Sequence, residues 1–118
     1  TKQSYYLELF DEPDISYTKE QDLLLENGLE YLKLGELDRS MEIFSKLLDS
    51  TNDKCYVASY NLGVIKESLG EYENAKELYN LSDKLTLKPN KTVIEAITRI
   101  KQRIEERNRL NNQIEAEK

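Results

Sequence analysis

Residues 59–79 read SYNLGVIKESLGEYENAKELY, two apolar-patterned runs on either side of Gly70. An upstream segment, Leu24 to Phe44, carries the same landmarks: Gly28, Gly35 and Phe44 each stand 35 residues before Gly63, Gly70 and Tyr79. Self-similarity at a period of this length marks stacked supersecondary units, each too small to bury its own apolar face and each covered by the next. The spacing within each unit is helical. Ala58, Leu62, Ile65 and Leu69 fall at i, i+4, i+7 and i+11 before Gly70, and Tyr72, Ala75, Leu78, Tyr79 and Leu85 resume the stripe after it. The expectation is an all-α chain in which antiparallel helical hairpins stack as a short right-handed α-solenoid.

Working towards the N-terminus, the first hairpin is expected over about 19–50. Thr18 and Gln21 form a capping box, so a helix begins there. Two apolar stripes follow, Leu24, Tyr31 and Leu34 on one side and Leu25, Leu29 and Leu32 on the other, so this helix needs cover on both. Gly35 ends it in the left-handed conformation, and Leu37, Met41, Phe44, Leu47 and Leu48 line the second helix. In each hairpin a glycine opposes a small residue, Gly28 with Ser40 and Gly63 with Ala75, where the two helices would pass closely. The polar run Asp49 to Asp53 is read as a turn whose Asn and Asp side chains cap the next helix, and the second hairpin as about 54–87. Residues 18–89 are thus a two-hairpin unit.

The flanks differ from this unit. Residues 1–17, TKQSYYLELFDEPDISY, are expected to be an ordered lead-in broken near Pro13, which lacks a donor and restricts Glu12. Its Tyr5, Tyr6, Leu9 and Phe10 are expected to cover Leu25, Leu29 and Leu32 on the first helix. Lys88-Pro89-Asn90 stops the second hairpin, and Asn90 caps a final helix over 90–118 that carries Val93, Ile94, Ile97, Ile100 and Ile104. From Glu105 onward that helix is mostly polar. It reads as a capping helix with a solvated, fraying end, because the heptad through Ile97, Ile100, Ile104, Arg107, Asn111 and Ile114 has two polar residues in a short seam.

Composition narrows the function classes. The net charge is -6, divided as -8 over residues 1–90 and +2 over 91–118, so the body lacks the Lys and Arg that nucleic-acid binding needs. There is no histidine, the commonest general base and metal ligand near neutral pH, and no phosphate-loop, zinc or calcium spacing, so no catalytic residue, metal or cofactor is expected. Cys55 is alone; it suits a small buried position better than a nucleophile, and it leaves the compartment open. Acidic pairs such as Glu71 with Glu73 read as solvated helix faces. No apolar run reaches the ~20 residues that span a bilayer. The first residue is Thr1, and the expectation is a piece of a longer or processed chain, with any targeting signal outside it.

Taken together, Leu62, Gly63, Gly70, Tyr72, Ala75 and Tyr79, closed by Pro89, and Leu24, Gly28, Tyr31, Leu34 and Phe44 before them resemble the tetratricopeptide repeat family, a 34-residue helix-turn-helix. Asn27 and Ser40 depart from its pattern, and the likeness covers about residues 20–89. The resemblance implies a non-catalytic scaffold that binds a protein or peptide segment along the concave side lined by the first helix of each pair, with no small-molecule substrate. By position it points to Asp22, Leu25, Leu29, Leu32 and Lys33 in the first unit and to Val57, Tyr60, Asn61, Val64 and Glu67 in the second. Asn61 stands out, since one amide can donate to and accept from the same peptide backbone; a bond to the adjacent repeat or to water is an equal reading. The basic cluster with which some members grip a terminal carboxylate is absent. With the first unit covered by the lead-in, Tyr60, Asn61 and Val64 are expected to be the part most open to a partner. The alternative is a structural element that forms a homo-oligomer through the C-terminal helix.

Overall fold

The computed structural model describes residues 8–117, and among these the chain is five helices with no strand: α1 Lys19–Lys33, α2 Leu37–Ser50, α3 Tyr56–Ser68, α4 Tyr72–Leu85 and α5 Lys91–Ala116. Each helix packs on the next in chain order, α1 on α2, α2 on α3, α3 on α4 and α4 on α5, as in a helical-hairpin solenoid. The radius of gyration is 15.2 Å, against about 13.5 Å for a compact domain of this length. The excess comes from α5, whose 26 residues run about 39 Å, far beyond the 14-residue α4 that it packs against.

The helix ends follow the local chemistry. Thr18 and Gln21 close the capping box on α1, with bonds of 3.1 and 3.0 Å, and Asn90 accepts from the Val93 N–H at 3.2 Å on α5. Gly35 and Gly70 both turn at φ 79°, where a Cβ would be strained, and so carry the chain from α1 to α2 and from α3 to α4. The α2–α3 turn departs from expectation. Asn52 and Asp53 themselves adopt positive φ, 55° and 62°, and the cap of α3 is Cys55, whose Sγ accepts from the Ala58 N–H at 3.4 Å. The helix therefore starts two residues later than the turn composition suggested, at Tyr56, and a carboxylate from the lead-in, Asp14, takes the Tyr56 N–H at 2.9 Å.

Within each hairpin an aromatic ring lies over the glycine. A Cβ on Gly28 would sit 2.8 Å from Phe44, and one on Gly63 would sit 2.5 Å from Tyr79. The expected opposition of Gly28 and Ser40 is present, Ser40 donating to the Gly28 carbonyl at 2.7 Å, with the aromatic ring over the glycine in addition. Serines tie the second pair as well: Ser59 donates to Leu78 O at 2.6 Å and Ser82 to Tyr56 O at 3.1 Å.

Helix α3 is buried almost all round, from Val57 through Ile65, rather than along a single stripe as expected. It is the central helix, enclosed by α2, by α4 and by the lead-in, so polar Ser59, Asn61 and Glu67 are inside with the apolar residues. Leu34 and Leu69, assigned to stripes by spacing, are instead exposed at the helix C-caps. Two connected cores result, one of α1, α2 and α3 around Phe44, Leu47 and Ile65, the other of α3, α4 and α5 around Tyr60, Tyr79, Val93 and Ile100. Leu9 and Phe10 pack against both. Beyond Glu105 α5 stays helical to Ala116 and is almost entirely exposed.

Candidate functional site

Residues 8–17 form neither helix nor strand. They run as a strap from the start of α5, past the middle and first turn of α3, to the cap of α1. Of these helices α1 and α3 are the first of each pair, which line the face expected to hold a ligand, and α5 is the further helix that follows. Pro13 and the acidic residues around it keep the segment out of helix, and Leu9, Phe10 and Tyr17 are the side chains it packs against the first core.

The central contact is Asn61. Its Oδ1 accepts from the Phe10 N–H at 3.1 Å and its Nδ2 donates to the Phe10 carbonyl at 2.9 Å, so one fully buried amide holds both polar groups of one strap residue. Beside it the Tyr60 hydroxyl donates to the Glu8 carbonyl. Burial pushes that hydroxyl up to about 12, against the opposing charge of Arg99, so it remains a donor at neutral pH. The Phe10 ring lies 4.4 Å from the Tyr60 ring and meets Tyr56 edge-on at 5.6 Å, the second within the range of favourable aromatic pairs. At the upstream end Thr92 donates to the Glu8 carboxylate at 2.8 Å.

At the other end a second cluster closes on α3. Asp14 accepts from the Tyr17 hydroxyl at 2.8 Å, from the Cys55 thiol at 3.2 Å and from the Tyr56 N–H. Burial pushes the Cys55 thiol up to about 11, so it is protonated at neutral pH and acts as a cap rather than a nucleophile.

Sequence-derived site residues fall into four groups. Val57, Tyr60, Asn61 and Val64 are buried on α3; the expectation that Tyr60, Asn61 and Val64 are the open part of the face is overturned, because the strap lies on them. Leu25, Leu29 and Leu32 are buried in the first core, against which Leu9 and Phe10 also pack; Tyr5 and Tyr6, expected to share that role, lie outside the described residues. Lys33 and Asp22 are exposed on α1. Glu67 faces the other way, into an internal ion cluster: it accepts from Arg99 at 2.8 and 3.0 Å, from Arg103 at 2.7 Å and from the Tyr79 hydroxyl at 2.7 Å. Burial alone would raise its pKa, but the bonds from Arg99, Tyr79 and Arg103 prevail and hold the carboxyl below the ordinary range.

Asp14, Tyr56 and Thr92 on the strap side, and Arg99 and Arg103 on the cluster side, were not singled out from sequence. The arginines did leave a signal: Arg99, Arg103 and Arg107 recur every fourth residue, one row on α5. Arg107 in turn pairs with Glu73 and lies 5.8 Å from the Tyr72 ring, on α4. Among the described residues no cluster of His, Cys, Asp or Glu is arranged to hold a metal ion, and no helix is long and apolar enough to cross a membrane.

Compared with known families, residues 56–89 match the tetratricopeptide repeat. No curated protein matches the chain. The match covers α3, the Gly70 turn, α4 and the loop to Pro89, and repeats of this family support a general role in protein–protein interaction. The matched segment is thus similar to one tetratricopeptide repeat, with a helical hairpin of the same spacing before it and a further helix after it.

Proposed function

We propose that this protein is a non-catalytic interaction module that takes an extended peptide or protein segment on the face made by α1, α3 and α5. The observation that supports it most directly is the two-point bond between Asn61 and the backbone of Phe10. An amide engaging N–H and C=O together recognises polypeptide backbone whatever the side chain, and each such bond is worth about 1 kcal/mol net. The chemistry of the chain agrees: it has no histidine, its single thiol is protonated and capping a helix, and its body is acidic. The test is affinity capture from the native source with wild type and with Asn61→Ala plus Tyr60→Phe, helicity being checked by circular dichroism. A specific protein whose capture changes between the two supports the reading; an identical set of captured proteins with both chains folded sinks it.

A second reading, self-assembly through α5, is favoured by one feature. Leu110 and Ile114 are about half exposed on the part of α5 that overhangs α4, and with Tyr72 and the arginine row they line an open groove of about 710 Å³. Mass measured by light scattering across concentration separates the two readings.

A further inference from the structure

The strap is held in part through atoms that every polypeptide has: the N–H and C=O of Phe10 on Asn61, and the C=O of Glu8 on Tyr60. Three of its side chains are gripped in addition, the Glu8 carboxylate by Thr92 at 2.8 Å, and Phe10 and Asp14 by α3. The Phe10 ring lies between Tyr60 and Tyr56, and the Asp14 carboxylate, four residues on, accepts from the Tyr56 N–H in the first turn of α3, where a helix favours negative charge. The strap has no regular structure of its own, and the five helices pair with one another without it.

We propose that this face recognises an extended segment of another protein carrying an aromatic residue and, four residues further on, a carboxylate. Residues 8–14 occupy the site as a built-in ligand of that same pattern until such a segment displaces them. This rests on the reading above that the face binds polypeptide, and it names the chemistry of the partner. A second copy of the chain is the weaker occupant. Its residues 8–14 offer only the contacts already made, and the resident strap, joined to α1 through residues 15–18, competes at the high effective concentration of an intramolecular ligand. A foreign segment wins by adding contacts beyond the strap, and the resident strap lowers its apparent affinity by the fraction of time the site is closed.

The test uses the full chain and a fluorescently labelled peptide of residues 8–17, followed by anisotropy. The peptide should bind the Phe10→Ala chain about tenfold or more tightly than wild type, because weakening the built-in ligand opens more sites. The same peptide carrying F10A or D14N should lose most of that affinity. Equal binding to both chains, no binding to either, or indifference to the two peptide changes would overturn the proposal. Should Phe10→Ala fail to fold, a chain with a protease site inserted between Ile15 and Ser16 is folded and then cut. The labelled peptide should then exchange for the cut segment with helicity retained, and failure to exchange, or unfolding on exchange, overturns the proposal. A dimer that the free peptide dissolves would assign the site to a second copy and likewise defeat it. A captured protein that depends on Asn61 but is not competed by the peptide would leave the interaction reading standing and remove this one.

Discussion

Gly63 lies beneath the ring of Tyr79, which is fully buried and tied by its hydroxyl to Glu67 at 2.7 Å. Alanine there would gain about 1 kcal/mol of helix propensity, but its Cβ would meet the ring at 2.5 Å, and overpacking of this kind costs about 1 to 3 kcal/mol. With the ring anchored, the clash prevails, and Gly63→Ala should lower the melting temperature; an unchanged or raised value would show that Tyr79 can yield. Gly28→Ala, facing a Phe44 ring with no hydroxyl to hold it, should lose less. Glu67 makes a second prediction at this scale. Its folded pKa is depressed, so the ionised carboxylate stabilises the fold fully above the unfolded value of about 4.3, and that contribution is lost as pH falls through the lower folded value. Acid melts of wild type should therefore steepen below about pH 4, whereas Glu67→Gln should be less stable by about 2 to 3 kcal/mol at neutral pH and lose less on acidification. Parallel acid profiles for the two proteins would exclude that role.

At the scale of the element, the strap is the segment whose contribution is easiest to separate. Deleting residues 1–12 removes Leu9 and Phe10 from both cores and leaves Tyr60, Asn61 and Val64 facing water. Hydrophobic-dye binding should rise and the melting temperature fall; unchanged melting with no gain in dye binding would refute the idea that the strap covers the core. Asn61→Ala, by contrast, keeps the apolar cover but leaves the Phe10 N–H and C=O without partners, at about 1 to 3 kcal/mol. Helix α5 divides in the same way. Val93, Ala96 and Ile100 bury it against the second core, and Arg99 and Arg103 lock it to Glu67, whereas beyond Glu105 the helix is almost entirely exposed and Arg107 pairs with Glu73.

For the whole molecule, that division separates stability from assembly. Removing residues 105–118 takes away the Arg107–Glu73 and Arg109–Glu106 ion pairs and exposed side chains, so the melting temperature should change little. If Leu110 and Ile114 join two copies, the same truncation converts a concentration-dependent mass into that of a single chain; a mass that is monomeric before and after rules out assembly through α5. The elongated outline has the same origin: α5 continues past its buried residues, to where Leu110 and Ile114 are exposed, and propensity together with polar side chains keeps it helical in water.

How much of this was legible depends on the range of the interaction responsible. The 35-residue offset, the glycine turns, the capping box and the apolar periodicities are local, set by neighbours within a turn or two, and they suffice for five helices, their order and the family resemblance. The peptide-facing amide of Asn61 was legible too, from its place in the repeat. Its occupant was not. Whether Asn61 meets water, the neighbouring repeat or the backbone of Phe10, 51 residues away, depends on how the helices stack and where the chain returns across them. The same holds for Glu67, whose arginines arrive from 32 and 36 residues downstream, and for α3, which spacing showed as striped but which lies at the centre of the stack and is covered on every side. Sequence by itself determined the repeat and its helices, because those follow from short-range periodicity and backbone chemistry. Only the tertiary structure decided which face is closed and by what, because burial is a property of the assembled stack, and here the residues that fill the face come from outside the repeat.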